Sequence, residues 1–167
     1  HSTNMALLDI IDNITQTLDS KAYSLGIFLD LSKAFDTIDH TILLSKLENY
    51  GVRGLALNWF KSYLSNRHQS VEINTNLSLL QPITCGVPQG SILGPLLFII
   101  YINDITKVST QLKSILFADD TNLLLNDSDL TRLILKANAE LQKITNWLKI
   151  NKLSLNIKKN TLHNFPQ

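Results

Sequence analysis

Hydrophobic positions divide the chain into segments with two different periods. Behind His1-Ser2-Thr3-Asn4, which supplies candidate helix caps, Leu7, Ile11, Ile14 and Leu18 recur at helical spacing, and Leu8 and Ile10 widen the stripe. Asp19-Ser20-Lys21 ends that pattern. Tyr23 to Leu29 is an almost continuous apolar run, which suits a strand buried on both faces, and it delivers Asp30 at its C-terminal end. Asp39 can cap a helix through Ile42, Leu43 and Leu47 that stops at Gly51. A second helix is expected from Leu55 to Leu64, with Trp59, Phe60 and Tyr63 as packing residues. Ser70 to Thr75 alternates, with Val71 and Ile73 on one face. Leu77 to Thr84 is its expected partner in a hairpin around Asn74-Thr75-Asn76.

The second half continues in the same way. Gly86-Val87-Pro88-Gln89-Gly90 reads as a loop, and Ser91 can cap an apolar helix ending near Asp104, with Pro95 in the early turns where proline costs least. Ser114 to Phe117 and Leu123 to Leu125 are β-prone runs joined by Asp119 and Asp120, a hairpin with an acidic turn. Asp129 opens a long amphipathic helix through Leu133, Ala137, Leu141, Ile144 and Leu148. Leu153 to Ile157 and Thr161 to Phe165 read as two short final strands. The order predicts an α+β fold, with helices packed on one face of an antiparallel sheet.

Composition narrows the class. A length of 167 residues suits one domain with a sizeable core. A net charge of +1 is too small for a domain that grips nucleic acid by charge alone. Cys85 is the only cysteine, so the chain has no internal disulfide and no Cys-rich zinc site, and the four histidines lack zinc-ligand spacing. The longest apolar run, Ile92 to Ile102, contains Gly94 and Pro95 and is about half the length of a membrane span, so a membrane partner is not expected. No signal-peptide pattern is visible and secretion is not expected.

The chemistry rests on acids. Asp119 and Asp120 alone fit a solvated turn, because Asp readily bonds nearby backbone. Their apolar flanks, however, hold two negative charges close to a core, where they repel unless a cation sits between them. Asp30 could be the third acid of such a set, although an Asp at a strand end is also an ordinary structural feature. Two Mg²⁺ ions bridged by acids of this kind, about 3.5–4 Å apart, can activate a 3′-hydroxyl and stabilise a leaving pyrophosphate. A strand followed by Asp also begins a haloacid-dehalogenase phosphatase, but that reaction needs a second Asp where this chain has Ser32.

Three stretches taken together go further. Phe28-Leu29-Asp30-Leu31-Ser32-Lys33-Ala34-Phe35-Asp36, then Gly86 to Phe98 (GVPQGSILGPLLF), then Phe117-Ala118-Asp119-Asp120 resemble the palm motifs A, B and C of reverse transcriptases. The detail is similar to the non-LTR, LINE-type and jockey-like retrotransposon branch. The intervening YLSNRHQSVEIN and LLFIIYINDI are also typical of that branch, so the resemblance covers nearly the whole chain.

The resemblance implies a polymerase palm with partial fingers and no thumb, acting on an RNA template, a DNA primer and dNTPs with two Mg²⁺ ions, or Mn²⁺ in their place. It implies metal binding by Asp30, Asp119 and Asp120, with the Leu31 carbonyl as an additional ligand. Phe35 matches the steric gate that excludes a 2′-hydroxyl, and Asp36 and Asp39 would cap or brace the next helix. Pro88, Gln89 and Gly90 would border nucleotide and template. Lys159, beside Lys158, would contact the triphosphate, although Asn160 stands where the branch usually has Thr. Triphosphate-binding fingers would lie upstream and a thumb downstream in a longer polyprotein, with an endonuclease region expected there too, and the location would be nucleus or cytoplasm. A catalytically silent retroelement remnant and an RNA-binding palm scaffold are the alternatives.

Overall fold

The computed structural model describes residues 3–117, 120–156 and 161–165. Two compact units emerge: residues 1–32 with 104–167, and residues 33–103.

The first unit is built on a four-stranded antiparallel sheet. Strand β1 (Tyr23–Asp30) is central because its apolar run can be covered on both faces and bonded along both edges. The other strands of this sheet are β6 (Lys113–Phe117), β7 (Asp120–Asp127) and β8 (Thr161–Phe165), in the spatial order β6-β7-β1-β8. Phe117 pairs with Asp120, which gives the expected hairpin with residues 118 and 119 between its strands. The expected strand from Leu153 to Ile157 is reduced to a single bridge, Leu31 to Leu155, with Ile157 outside the described residues.

Helix α5 (Leu130–Ile150) packs on the sheet through Leu133, Ala137, Ile144 and Leu148, all buried. Asp129 caps it by accepting from the Arg132 amide at 2.7 Å. Just before the cap, Asp127 is buried at the end of β7 and forms ion pairs with Arg132 and Lys136 from the first turns of the helix. Those hydrogen bonds, Arg132 first and Lys136 second, hold the Asp127 carboxyl far below the usual carboxylate range. Farther along α5, Glu140 is buried and accepts from Lys143 at 2.7 Å; this bond, helped by Ser109, lowers its pKa.

Helix α1 (Thr3–Asp19) forms as its stripe predicts, and it packs against β1 and β6. Most of the stripe stays open: Leu7, Leu8, Ile11 and Leu18 are exposed and Ile10 and Ile14 half-buried, and among the described residues of α1 it is Thr17 that is fully buried. Asn126 of β7 reaches the Asn13 side chain of α1 at 3.1 Å, at the end of the sheet away from Asp30.

The second unit holds helices α2 (His40–Asn49), α3 (Leu55–Leu64) and α4 (Leu93–Ile102). Asp39 caps α2 by accepting from the Thr41 and Ile42 amides, and Gly51 follows its end at φ +93°. Leu43, Leu47, Leu64, Leu97, Phe98 and Tyr101 are completely or almost completely buried and form the core of this unit. Trp59 is exposed, but its ring stacks on Tyr63 at 5.3 Å. Ser91 performs the expected capping bond, accepting from the Gly94 amide at 2.9 Å. The α4 chain then continues as a 3₁₀ turn over Asn103–Lys107.

Between α3 and α4 lies the expected hairpin, in reduced form. Strands β3 (Glu72–Ile73) and β4 (Asn76–Leu77) pair around Asn74 and Thr75, while β2 (His68–Gln69) pairs with β5 (Gln81–Pro82). Val71 and Ile73 sit in the open rather than on a buried face.

Candidate active site

The sheet brings two of the three expected acids together. Asp30, the last residue of β1, stands directly opposite Asp120, the first residue of β7. On its other edge the Asp30 carbonyl accepts from the Asn156 amide at 2.9 Å, and Ser32 donates to the Ser154 carbonyl at 2.8 Å. The backbone groups of one strand residue point to the same edge. Asp30 and Asp120 therefore form a non-hydrogen-bonded pair, the type whose side chains lie closer. Such partners have Cβ atoms about 4.5–5.5 Å apart on one face of the sheet.

Two like charges in that position destabilise each other unless something offsets them. One offset is visible: Asn156 donates its side-chain amide to Asp30 Oδ2 at 2.9 Å. Asn156 was not legible as a site residue, because nothing in Leu153-Ser154-Leu155-Asn156 distinguishes it from loop sequence. By the same alternation, the Leu31 backbone groups point toward the β7 edge, away from residues 154–156. The third acid, Asp119, and the tail lysines Lys158 and Lys159 lie outside the described residues. Among the described residues no three His, Cys, Asp or Glu side chains are grouped closely enough to hold a metal ion. The acid pair nonetheless has the donor chemistry that a hard divalent cation takes, since Mg²⁺ is commonly held by one or two carboxylates plus substrate phosphates.

The other expected residues lie in the second unit, where the stretch after Asp30 and the Gly86–Gly90 loop are stitched together. Asp39 bridges to Cys85, the Gly86 amide donates to the Ile38 carbonyl at 2.8 Å, and the Val87 amide donates to the Phe35 carbonyl at 2.9 Å. His40 Nε2 lies 2.7 Å from the Gly86 carbonyl, so that nitrogen carries the proton. Gly86 is required here: a Cβ on it would stand 2.8 Å from the Asp36 carbonyl oxygen. Gly90 adopts φ +78° with open space around it, so its backbone is accessible.

Phe35 is half-buried, and its ring lies 4.8 Å from that of buried Phe98. Asp36 does not cap the helix. It accepts from Gln89 Nε2 at 2.7 Å and so braces the loop instead. Beside these residues is a cavity of about 590 Å³ whose walls include Lys33, Asp36, Arg67, Gln69, Pro88 and Gln89. Arg67 and Gln69 are wall residues outside the three palm motifs.

Comparison with known proteins agrees with this arrangement. The family model described as "Reverse transcriptase (RNA-dependent DNA polymerase)" matches residues 2–164. A protein named as the probable RNA-directed DNA polymerase from transposon X-element of Drosophila melanogaster is 37% identical over 127 residues, covering 72% of this chain. The RNA-directed DNA polymerase from mobile element jockey of the same organism is 34% identical over 131 residues, covering 74%. The chain spans only 14% of the length of each of these relatives. Among solved structures, apo telomerase from Candida tropicalis, truncated from its C-terminal domain, superposes with a TM-score of 0.74 at 15% identity, covering all of this chain and 36% of that one. Telomerase from Candida albicans gives a TM-score of 0.67 at 17% identity, covering all of this chain and 31% of that one. At these identities the likeness is one of fold, an α+β polymerase palm. With the family model matching nearly the whole length, this chain belongs to the reverse transcriptase family, on its non-LTR retrotransposon branch.

Proposed function

We propose that the chain carries the nucleotidyl-transfer centre of an RNA-directed DNA polymerase, extending a DNA primer on an RNA template with dNTPs. The observation that supports this reading best is the Asp30–Asp120 pair in register across the two central strands. Asp30, Asp120 and Asp119 would hold Mg²⁺, or Mn²⁺ in its place, with the Leu31 carbonyl as a further ligand. When bound, two such ions supply activation of the primer 3′-hydroxyl and stabilisation of the departing pyrophosphate.

The protein's own residues do the positioning. Asn156 holds one oxygen of Asp30 and so orients its carboxylate. Phe35, held against Phe98, presents the edge that excludes a ribose 2′-hydroxyl. Pro88, Gln89 and Gly90 border nucleotide and template, with Gln89 braced by Asp36 and Gly90 letting the strand approach the backbone. Lys159 would contact the triphosphate.

Metal binding gives a direct test. Titration of Mn²⁺ followed by electron paramagnetic resonance should show binding to the chain that is weakened at least roughly tenfold in Asp30→Asn, since a charged ligand is lost. Unchanged binding in that variant and in Asp120→Asn would sink the metal site. In the parent reading frame, Asp30→Asn should abolish primer extension, whereas Phe35→Val should retain it and raise the ratio of ribonucleotide to deoxynucleotide incorporation. An unchanged ratio would assign Phe35 to packing alone.

A further inference from the structure

The cavity within residues 33–103 carries a charge arrangement that the acid chemistry does not use. Two cations, Lys33 and Arg67, line it, and neither makes an ion pair or side-chain hydrogen bond among the described residues. One acid, Asp36, lines it with them and is bonded to Gln89. Lys33 and Arg67 against Asp36 leave one positive charge uncompensated. The remaining walls are neutral, with amides from Gln69 and Gln89 and a thiol from Cys85.

We propose that Lys33 and Arg67 form a clamp for a backbone phosphodiester, seating one strand of nucleic acid in this cavity. The proposal rests on the polymerase reading for the kind of strand, RNA. A volume of about 590 Å³ lies within the usual range for ligand sites and accommodates a nucleotide unit. One surplus positive charge matches one phosphodiester, whereas a nucleoside triphosphate carries several negative charges and would leave most of them unmatched. The guanidinium offers a planar fork for two phosphate oxygens, and the ammonium adds a point charge. Lys33 adopts φ +48°, a conformation that asparagine also tolerates, so its charge can be removed without a steric penalty.

The test uses the full chain and a fluorescein-labelled single-stranded RNA of roughly 12 nucleotides, within the span of grooves that bind single strands. Fluorescence anisotropy is followed across a salt series. Lys33→Asn and Arg67→Gln should each weaken binding roughly three- to tenfold, and the double variant should reduce the slope of log K against log salt by about 0.7, the value for one phosphate contact on a single strand. Asp36→Asn keeps an acceptor for Gln89 but removes the opposing charge, so it should tighten binding. Lys149→Gln, at the end of α5, should leave the slope unchanged, and Lys33→Asn should unfold at the wild-type temperature.

Equal slopes in wild type and the Lys33→Asn, Arg67→Gln double variant would overturn the clamp. So would an equal loss in Lys149→Gln, or no RNA binding by the wild type. Displacement of the RNA by excess dTTP, with a potency that depends on Lys33 and Arg67, would overturn it in favour of a nucleotide site. Asp30→Asn should leave RNA binding intact, so failure of the acid centre and failure of the clamp are read separately.

Discussion

The two hairpins of this chain share an apolar-rich composition and meet opposite fates. In the acidic hairpin, Ile115, Leu123, Leu124 and Leu125 are buried, and β7 is bonded along both edges, to β6 and to β1. In the hairpin around Asn74 and Thr75, Val71, Ile73, Leu77, Leu79 and Leu80 are all exposed, and β3 and β4 pair only with each other. Alternation therefore predicts a strand, but the neighbouring strands and helices decide whether its apolar residues leave water. A two-stranded hairpin on its own is marginal, and the second one has shrunk to ladders of two residues.

That contrast can be broken most sharply by truncation. Leu123 is wholly buried in β7, and Leu123→Ala should cost about 2–5 kcal/mol in urea unfolding, through lost transfer energy and the cavity left behind. Ile73→Ala in the exposed hairpin should stay within about 0.5 kcal/mol. Equal costs would mean that the second hairpin has a cover in solution.

A second effect is expected at the end of β7, where Arg132 and Lys136 depress the Asp127 carboxyl. A carboxylate with a lowered folded-state pKa contributes stability that is fully present above its ordinary value of 3.8. That contribution is lost as the pH falls through the folded-state pKa. Urea midpoints measured between about pH 6 and pH 2 should therefore show wild type and Asp127→Asn converging at the acid end. A constant gap would remove the ion pairs as its cause.

The smallest effect is local. Thr75 is β-branched and held at φ +69°, next to Asn74 at φ +48°, so both central turn residues are left-handed. Thr75→Gly should relieve about 1 kcal/mol of strain. Slower amide exchange at Ile73 and Asn76 would report it, with the global unfolding midpoint unchanged.

The strand, the acidic hairpin and the helix starts at Asp39 and Asp129 were legible because each is a local pattern: a run, a turn or a cap. Asp30 was expected beside Asp119, which lies outside the described residues; that its register partner is Asp120 could not be read from the pattern, because a shift of one residue in register changes the partner. The pattern could not reveal cover either. The α1 stripe reads like any amphipathic helix, yet periodicity says which residues share a face and nothing about what lies against it. Asp127 escaped notice as an ordinary residue before a helix cap, although Arg132 and Lys136, five and nine positions later, were an available signal. The Asp36–Gln89 bond joins two motifs 53 residues apart and has no local trace.

The central position of β1 has a consequence for how the protein is made. Ser24 meets its partner Asn126 only 102 residues later, and Asp30 meets Asn156 only 126 residues later. At roughly 5–20 residues per second of synthesis, this largely apolar strand waits on the order of 5–25 s beside the ribosome for its neighbours. Of the two inner strands of the sheet, β1 is made well before β7. Chaperone capture during that interval would govern yield more than the stability of the finished sheet.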